Sequence, residues 1–226
     1  MYETTTLKLV NKNKNFFIKI KNTIQIKKFI KSFLDTSEEV EKHLNPGSLN
    51  GDELKIDIFV KEVKSLTNYL KNNIEYGYLE KLYVNLNNQI TNLNNEGLGV
   101  INLSHEDIFV LEYLDDVIFI FLNNDNLVDI DFHDKLLITK PFAKDKYCSP
   151  ELNTIKKLPA IVTKSSVYWS IGKSILFCLK KFKDEKYINK NVSKENILNK
   201  IMNTRLYWAV QKNLEMKPEK RASLLI

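Results

Sequence analysis

Near residue 65 the spacing of apolar residues lengthens from two positions to about 3.6, so the chain must join a strand-rich part to a helical one. Before that point, Thr6-Leu7-Lys8-Leu9-Val10 and Lys55-Ile56-Asp57-Ile58-Phe59-Val60 alternate polar and apolar residues, as half-buried strands do. Phe16–Ile20 and Thr23–Lys27, rich in aromatic and β-branched residues, read as further strands. Asp35 or Ser37 caps a helix through Leu44, with Glu38 and Glu39 in a first turn that favours negative charge, and Asn45-Pro46-Gly47 ends it. Beyond the change of period, Ser65 opens a helix with Leu66, Tyr69 and Leu70 on one side. Tyr78–Asn95 then carries Leu79, Leu82, Leu86, Ile90 and Leu93 at helical spacing. Ile108–Leu111 and Val117–Leu122 read as strands joined across Tyr113–Asp116. Past Pro150 the pattern is helical over Ser165–Phe182, Lys194–Met202 and Tyr207–Glu215. The expected class is α+β, in two unequal lobes.

A length of 226 residues suits one domain, and 43% hydrophobic with 11% aromatic residues supplies a core and argues against general disorder. Two cysteines, Cys148 and Cys178, and three scattered histidines, His43, His105 and His133, exclude a disulfide framework and a four-cysteine zinc site. The opening Met1–Thr6 lacks the basic-then-apolar pattern of a signal peptide, and no run approaches the roughly 18 apolar residues of a membrane span. The expectation is an intracellular protein, cytoplasmic or nuclear, with no membrane partner. A net charge of +6 and a pI near 9.0 raise a nucleic-acid reading. The lysines are interspersed with Glu and Asp, however, so nucleic acid is not the expected partner.

Several short motifs occur in a fixed order. Tyr147-Cys148-Ser149-Pro150-Glu151 is similar to an A-P-E signature, Val167–Gly172 to D-V-W-S-x-G, and Pro218-Glu219-Lys220-Arg221 to P-x-x-R. Upstream, Leu93–Leu103 is similar to L-H-x-x-G-I-V-H-R-D-L and Ile24-Gln25-Ile26-Lys27 to V-A-I-K. Phe59–Val63, followed by Ser65-Leu66, is similar to the segment that connects two lobes. Together they resemble the eukaryotic protein kinases over nearly the whole chain. The resemblance implies one bilobal kinase-like domain: a small antiparallel-sheet lobe with one helix over residues 1–62, and a larger helical lobe over 63–226.

The resemblance also implies roles. The family's glycine loop falls on Asn11, Asn13 and Phe16, in a chain without glycine before Gly47, so side chains crowd the approach of phosphates. Lys27 stands at the phosphate-binding lysine, with Glu39 (or Glu38 or Glu41) as its helix partner. Asn102 occupies the catalytic-base position, where an amide cannot accept a proton as a carboxylate does. Asp107 falls at a metal-binding position. The D-F-G motif lies either at Phe121-Leu122-Asn123 or at Asp131-Phe132-His133, and in the second register Asp131 joins Asp107 at the metal. Glu151 and Arg221 correspond to a buried ion pair, Val167 replaces a bracing aspartate, and Trp169 and Trp208 read as core aromatics. Cys148 is either a reactive loop thiol or a buried inert one. The expected function is that of a catalytically impaired homologue, a pseudokinase, regulating a protein partner such as another kinase, with no cofactor required. The alternative is a divergent active Ser/Thr kinase that moves the γ-phosphate of ATP with Mg²⁺ through Lys27, Asp107 and Asp131.

Overall fold

The computed structural model describes residues 2–4, 7–12, 15–21, 24–34, 44–50, 53–71, 74–114, 116–131, 133–182, 197–224 and 226. Strands β1 (Tyr2–Glu3), β2 (Leu7–Lys12), β3 (Asn15–Lys21), β4 (Leu44–Asn50) and β5 (Glu53–Ile58) form an antiparallel sheet in the order β1-β2-β3-β5-β4. The period of two explains its buried face. Phe16, Ile18 and Ile20 on β3 and Ile56 and Ile58 on β5 are buried, with Ile18 opposite Ile56, while Lys19 faces solvent.

Two expectations are corrected here. The strand expected over Thr23–Lys27 is not found in its described residues, Ile24–Lys27, which belong to helix α1 (Ile24–Leu34). The five-residue window fits both periods, but Ile26, Phe29, Ile30 and Phe33 repeat at the helical spacing once the window is extended. Phe29 and Ile30 are buried by it, and Lys27 is exposed on its first turns. The helix expected up to Leu44 lies outside the described residues except for Leu44 itself, which begins β4. Asn45, Pro46 and Gly47 belong to that strand, with a register irregularity between Pro46 and Leu49. A proline is tolerated there because β4 is an edge strand.

Strand β6 (Glu62–Ser65) leaves this sheet and pairs with β8 (Ile108–Tyr113), itself paired with β9 (Asp116–Phe121). Ser65 then caps α2 (Leu66–Tyr69) by accepting a hydrogen bond from the Asn68 amide. Helix α3 (Tyr76–Asn95) buries Leu79, Leu82, Leu86, Ile90 and Leu93 completely. It also carries polar side chains where the apolar stripe meets β9. Asn85 Oδ1 accepts from the Phe119 amide at 3.0 Å, and the Gln89 side chain binds both the amide and the carbonyl of Phe121 at 2.8 Å. Two side chains four positions apart on one helix thus satisfy the outer edge of the sheet, which the protein interior would otherwise leave unpaired.

The rest is built of short pieces. Strand β7 (Leu98–Val100) pairs with β10 (Leu127–Asp129), and β11 (Lys135–Ile138) with β12 (Ala160–Thr163). Helices α4 (Pro150–Thr154), α5 (Ser166–Leu179) and α6 (Arg205–Asn213) follow, with a 3₁₀ turn at Ile197–Ile201 in the described part of the helix expected there. Helix α1 docks on the end of α3. Phe29 meets Phe121 edge-to-face, Lys28 Nζ donates to the Glu96 carbonyl at 2.6 Å, and Lys31 pairs with the Glu96 carboxylate. One apolar core therefore runs from the five-stranded sheet through α1 and α3 to α5 and α6. Trp208 does not belong to it and is 57% exposed, because the buried positions of α6 are Leu206, Ala209, Val210 and Asn213, on its opposite side. Among the described residues, no helix is long and apolar enough to cross a membrane.

Candidate functional site

Strand β7 ends at Val100, and the chain then enters the polar centre of the molecule. Asn102 is buried there with each end of its amide engaged: Nδ2 donates to Asp145 Oδ1 at 3.0 Å, and Oδ1 accepts from Ser170 Oγ at 2.9 Å. Its backbone carbonyl accepts from Asn126 Nδ2 at 3.0 Å, and the preceding amide, Ile101, donates to the Asn126 carbonyl. Asp145 also takes the backbone amides of Tyr147 and Cys148, and Ser170 hydrogen-bonds the Tyr147 carbonyl. Four separate segments, the loop after β7, the turn before β10, the chain before α4 and helix α5, are thereby tied to one asparagine.

Three residues on, the chain makes a 3₁₀ turn over His105–Asp107, closed by reciprocal capping between Ser104 and Asp107. The Asp107 carboxylate receives the Ser104 amide on Oδ2 at 3.3 Å and Asn123 Nδ2 on Oδ1 at 3.0 Å. The first possible D-F-G register therefore meets Asp107 through an amide. Next to it, Asn124 Oδ1 accepts from Thr4 Oγ1 at 2.8 Å, which brings the loop after β1 onto this cluster. His105 packs under the network, its ring 3.8 Å from Phe177 and its Nδ1 2.6 Å from the Tyr147 hydroxyl. Burial holds this imidazole below its ordinary pKa; Lys146 acts in the same sense, against Glu106 and Asp145. Burial likewise raises the thiol of Cys148, a poorly accessible group that matches the inert reading.

Asp131, the candidate of the second register, is spent on its own turn, accepting the amides of His133 at 2.9 Å and Lys135 at 2.8 Å. The second of these is the larger cause of its lowered pKa. Phe132, Asn13 and Glu39 lie outside the described residues, so the Lys27–Glu39 pairing does too. Asn11 is exposed on β2 opposite Phe16, whose ring is turned into the core rather than across a ligand approach. No group of three or more His, Cys, Asp or Glu able to hold a metal occurs among the described residues. Asp107 is thus hydrogen-bonded at both carboxylate oxygens, Asp131 is held in its own turn, and Lys27 is exposed on a helix rather than on a strand.

Glu151 and Arg221 are brought together. The guanidinium, fully buried, donates to both carboxylate oxygens at 2.6 and 3.0 Å, and to the carbonyls of Glu215 and Met216. Ser166 Oγ adds a third bond to Glu151. Burial pushes the Glu151 carboxyl up, but Arg221 and Ser166 outweigh it and leave the group below its usual range. Half-buried Trp169 lies against this pair, with the guanidinium carbon 5.2 Å from its ring centroid, and Val167 is buried in the core. The partners Asp145 and Asn126 carry no signal in the sequence, since only closure of the chain over 43 and 24 residues brings them to Asn102. The one local hint is the serine one position after Trp169 on the buried side of a helical pattern. Compared with models of known protein families and with curated protein sequences, the chain finds no match.

Proposed function

We propose that this chain is a two-lobed, protein-kinase-like pseudokinase that acts as a protein-binding or allosteric regulatory module. The observation that carries the reading is Asn102. At the position the resemblance gives to the catalytic base stands a buried amide whose two ends hold Asp145 and Ser170, a scaffold role that leaves it no proton to take. The Glu151–Arg221 pair and buried Val167 support it, as features that hold the helical part together. So does Asp107, whose oxygens are occupied by the Ser104 amide and by Asn123. Thermal unfolding of the purified protein with millimolar ATP and Mg²⁺ tests the reading, because a ligand that binds only the native state raises Tm. The expected result is no Mg²⁺-dependent rise and no transfer of labelled phosphate to a generic protein substrate. Transfer that disappears in Asp107→Ala would overturn it and establish the active-kinase alternative.

A further inference from the structure

Strands β11 and β12 make a sheet of two with one face closed and one open. Leu136, Ile138 and Val162 join Ile101, Cys148 and Leu152 in a small second core. Leu137 and Ile161, directly opposite each other, point the other way and are 43% and 64% exposed. Strand β11 is flanked on its far side by a bridge between Ile130 and Leu136, whereas β12 has no further strand beside it among the described residues. There Ala160, Ile161 and Val162 form no backbone hydrogen bond beyond their ladder with β11. Native edge strands are guarded by lysine, by proline or by a covering element. Pro159 and Lys164 stand only at the ends of this one, and its middle is Ile161-Val162.

Charge decides what such an edge receives. Residues 135–164 contain seven lysines and two acidic residues, Asp145 and Glu151. Glu151 is neutralised by Arg221, and Asp134, just before this stretch, pairs with Lys164, so Asp145 is the one acid here set against the remaining six lysines. Lys140, Lys156 and Lys157 project into solvent around the sheet. A second copy of the chain is a poorer occupant than an acidic segment, because it brings the same excess of lysine to the edge. We propose that the outer edge of β12, with the Leu137–Ile161 pair beside it, binds an extended acidic segment of a partner protein by strand addition. Main-chain hydrogen bonds would supply affinity, and aliphatic side chains alternating with carboxylates would match the exposed pair and the lysines. The proposal rests on the preceding reading only in that the chain works by binding protein; a nucleotide result of either sign leaves the edge as it is.

The test is hydrogen exchange at the amides of Ala160–Val162, with and without a short peptide of alternating Glu and Val, together with peptide affinity by fluorescence anisotropy. The Glu–Val peptide is expected to slow exchange at β12 and to bind more weakly as salt rises. Ile161→Gln, an uncharged surface change whose folding is checked by circular dichroism, is expected to weaken binding roughly tenfold, on the order of what one buried aliphatic side chain contributes. Three outcomes overturn the proposal: unchanged exchange at β12 under saturating peptide, equal binding of a Lys–Val peptide, or the same protection from an oligonucleotide. Protection that appears with protein concentration alone would assign the edge to a second copy instead.

Discussion

Asn102 is a residue whose environment forbids the obvious repair. Replacing it by aspartate restores the carboxylate that the kinase resemblance lacks, yet it sets that carboxylate against Asp145 Oδ1, now 3.0 Å from the amide nitrogen. The expected outcome of Asn102→Asp is a loss of about 1–3 kcal/mol in urea unfolding, from a lost donor and a like-charge contact, with no gain of phosphotransfer. His105 gives stability an expected pH dependence. Because burial lowers its folded pKa, the neutral imidazole contributes stability above the ordinary value of 6.5, and that contribution is lost as pH falls below it. Tm is expected to fall between pH 7.5 and 5.5, and His105→Gln should remove that part of the slope. Glu151 behaves in the same sense lower down: its depressed pKa means stability present above the usual carboxyl value and lost as pH falls from there through the lowered folded value. Glu151→Ala leaves a fully buried guanidinium without its counter-charge, and a loss of about 3–5 kcal/mol is expected in denaturant unfolding.

Between elements, the most instructive contact is the edge of β9 on α3. Gln89→Leu keeps the helix and its size but leaves the amide and carbonyl of Phe121 buried without partners. At about 1–3 kcal/mol per orphaned group, the variant should lose several times what a surface substitution does, and amide exchange at Phe121 should accelerate before that of the strand centre. Gly172 has a related constraint on α5. A Cβ there meets the Leu214 side chain at 2.9 Å and Asn213 at 3.3 Å, so a larger residue would have to displace Leu214 where α5 packs on the end of α6.

Across the whole molecule, one apolar core links the five-stranded sheet to the helices, with Phe29 against Phe121 as a central contact. The strand-rich and helical parts should therefore unfold together, with coincident transitions by far-ultraviolet dichroism and tryptophan fluorescence. Phe29→Ala is expected to cost about 3–5 kcal/mol and to lower that single midpoint rather than split it, since it removes a fully buried ring. Two transitions in the wild type would show the two parts to be independent.

Periodicity alone was enough for the α+β class, for a long helix over Tyr78–Asn95, which in the structure begins two residues earlier at Tyr76, and for the β8–β9 hairpin, because each has enough residues for its period to repeat. It failed at Thr23–Lys27, where five residues satisfy two periods and the burial of Phe29 and Ile30 chooses the helix. It also passed over β7, β10, β11 and β12, of three or four residues each, which exist only because partners distant in the chain complete their ladders. The chemistry of the centre divides in the same way. That an amide stands at position 102 is written in the chain; that its two ends are taken by Asp145 and Ser170 depends on segments 43 and 68 residues away meeting at one point. A sequence lists donors and acceptors, and only closure of the chain decides which of them find each other in the absence of water.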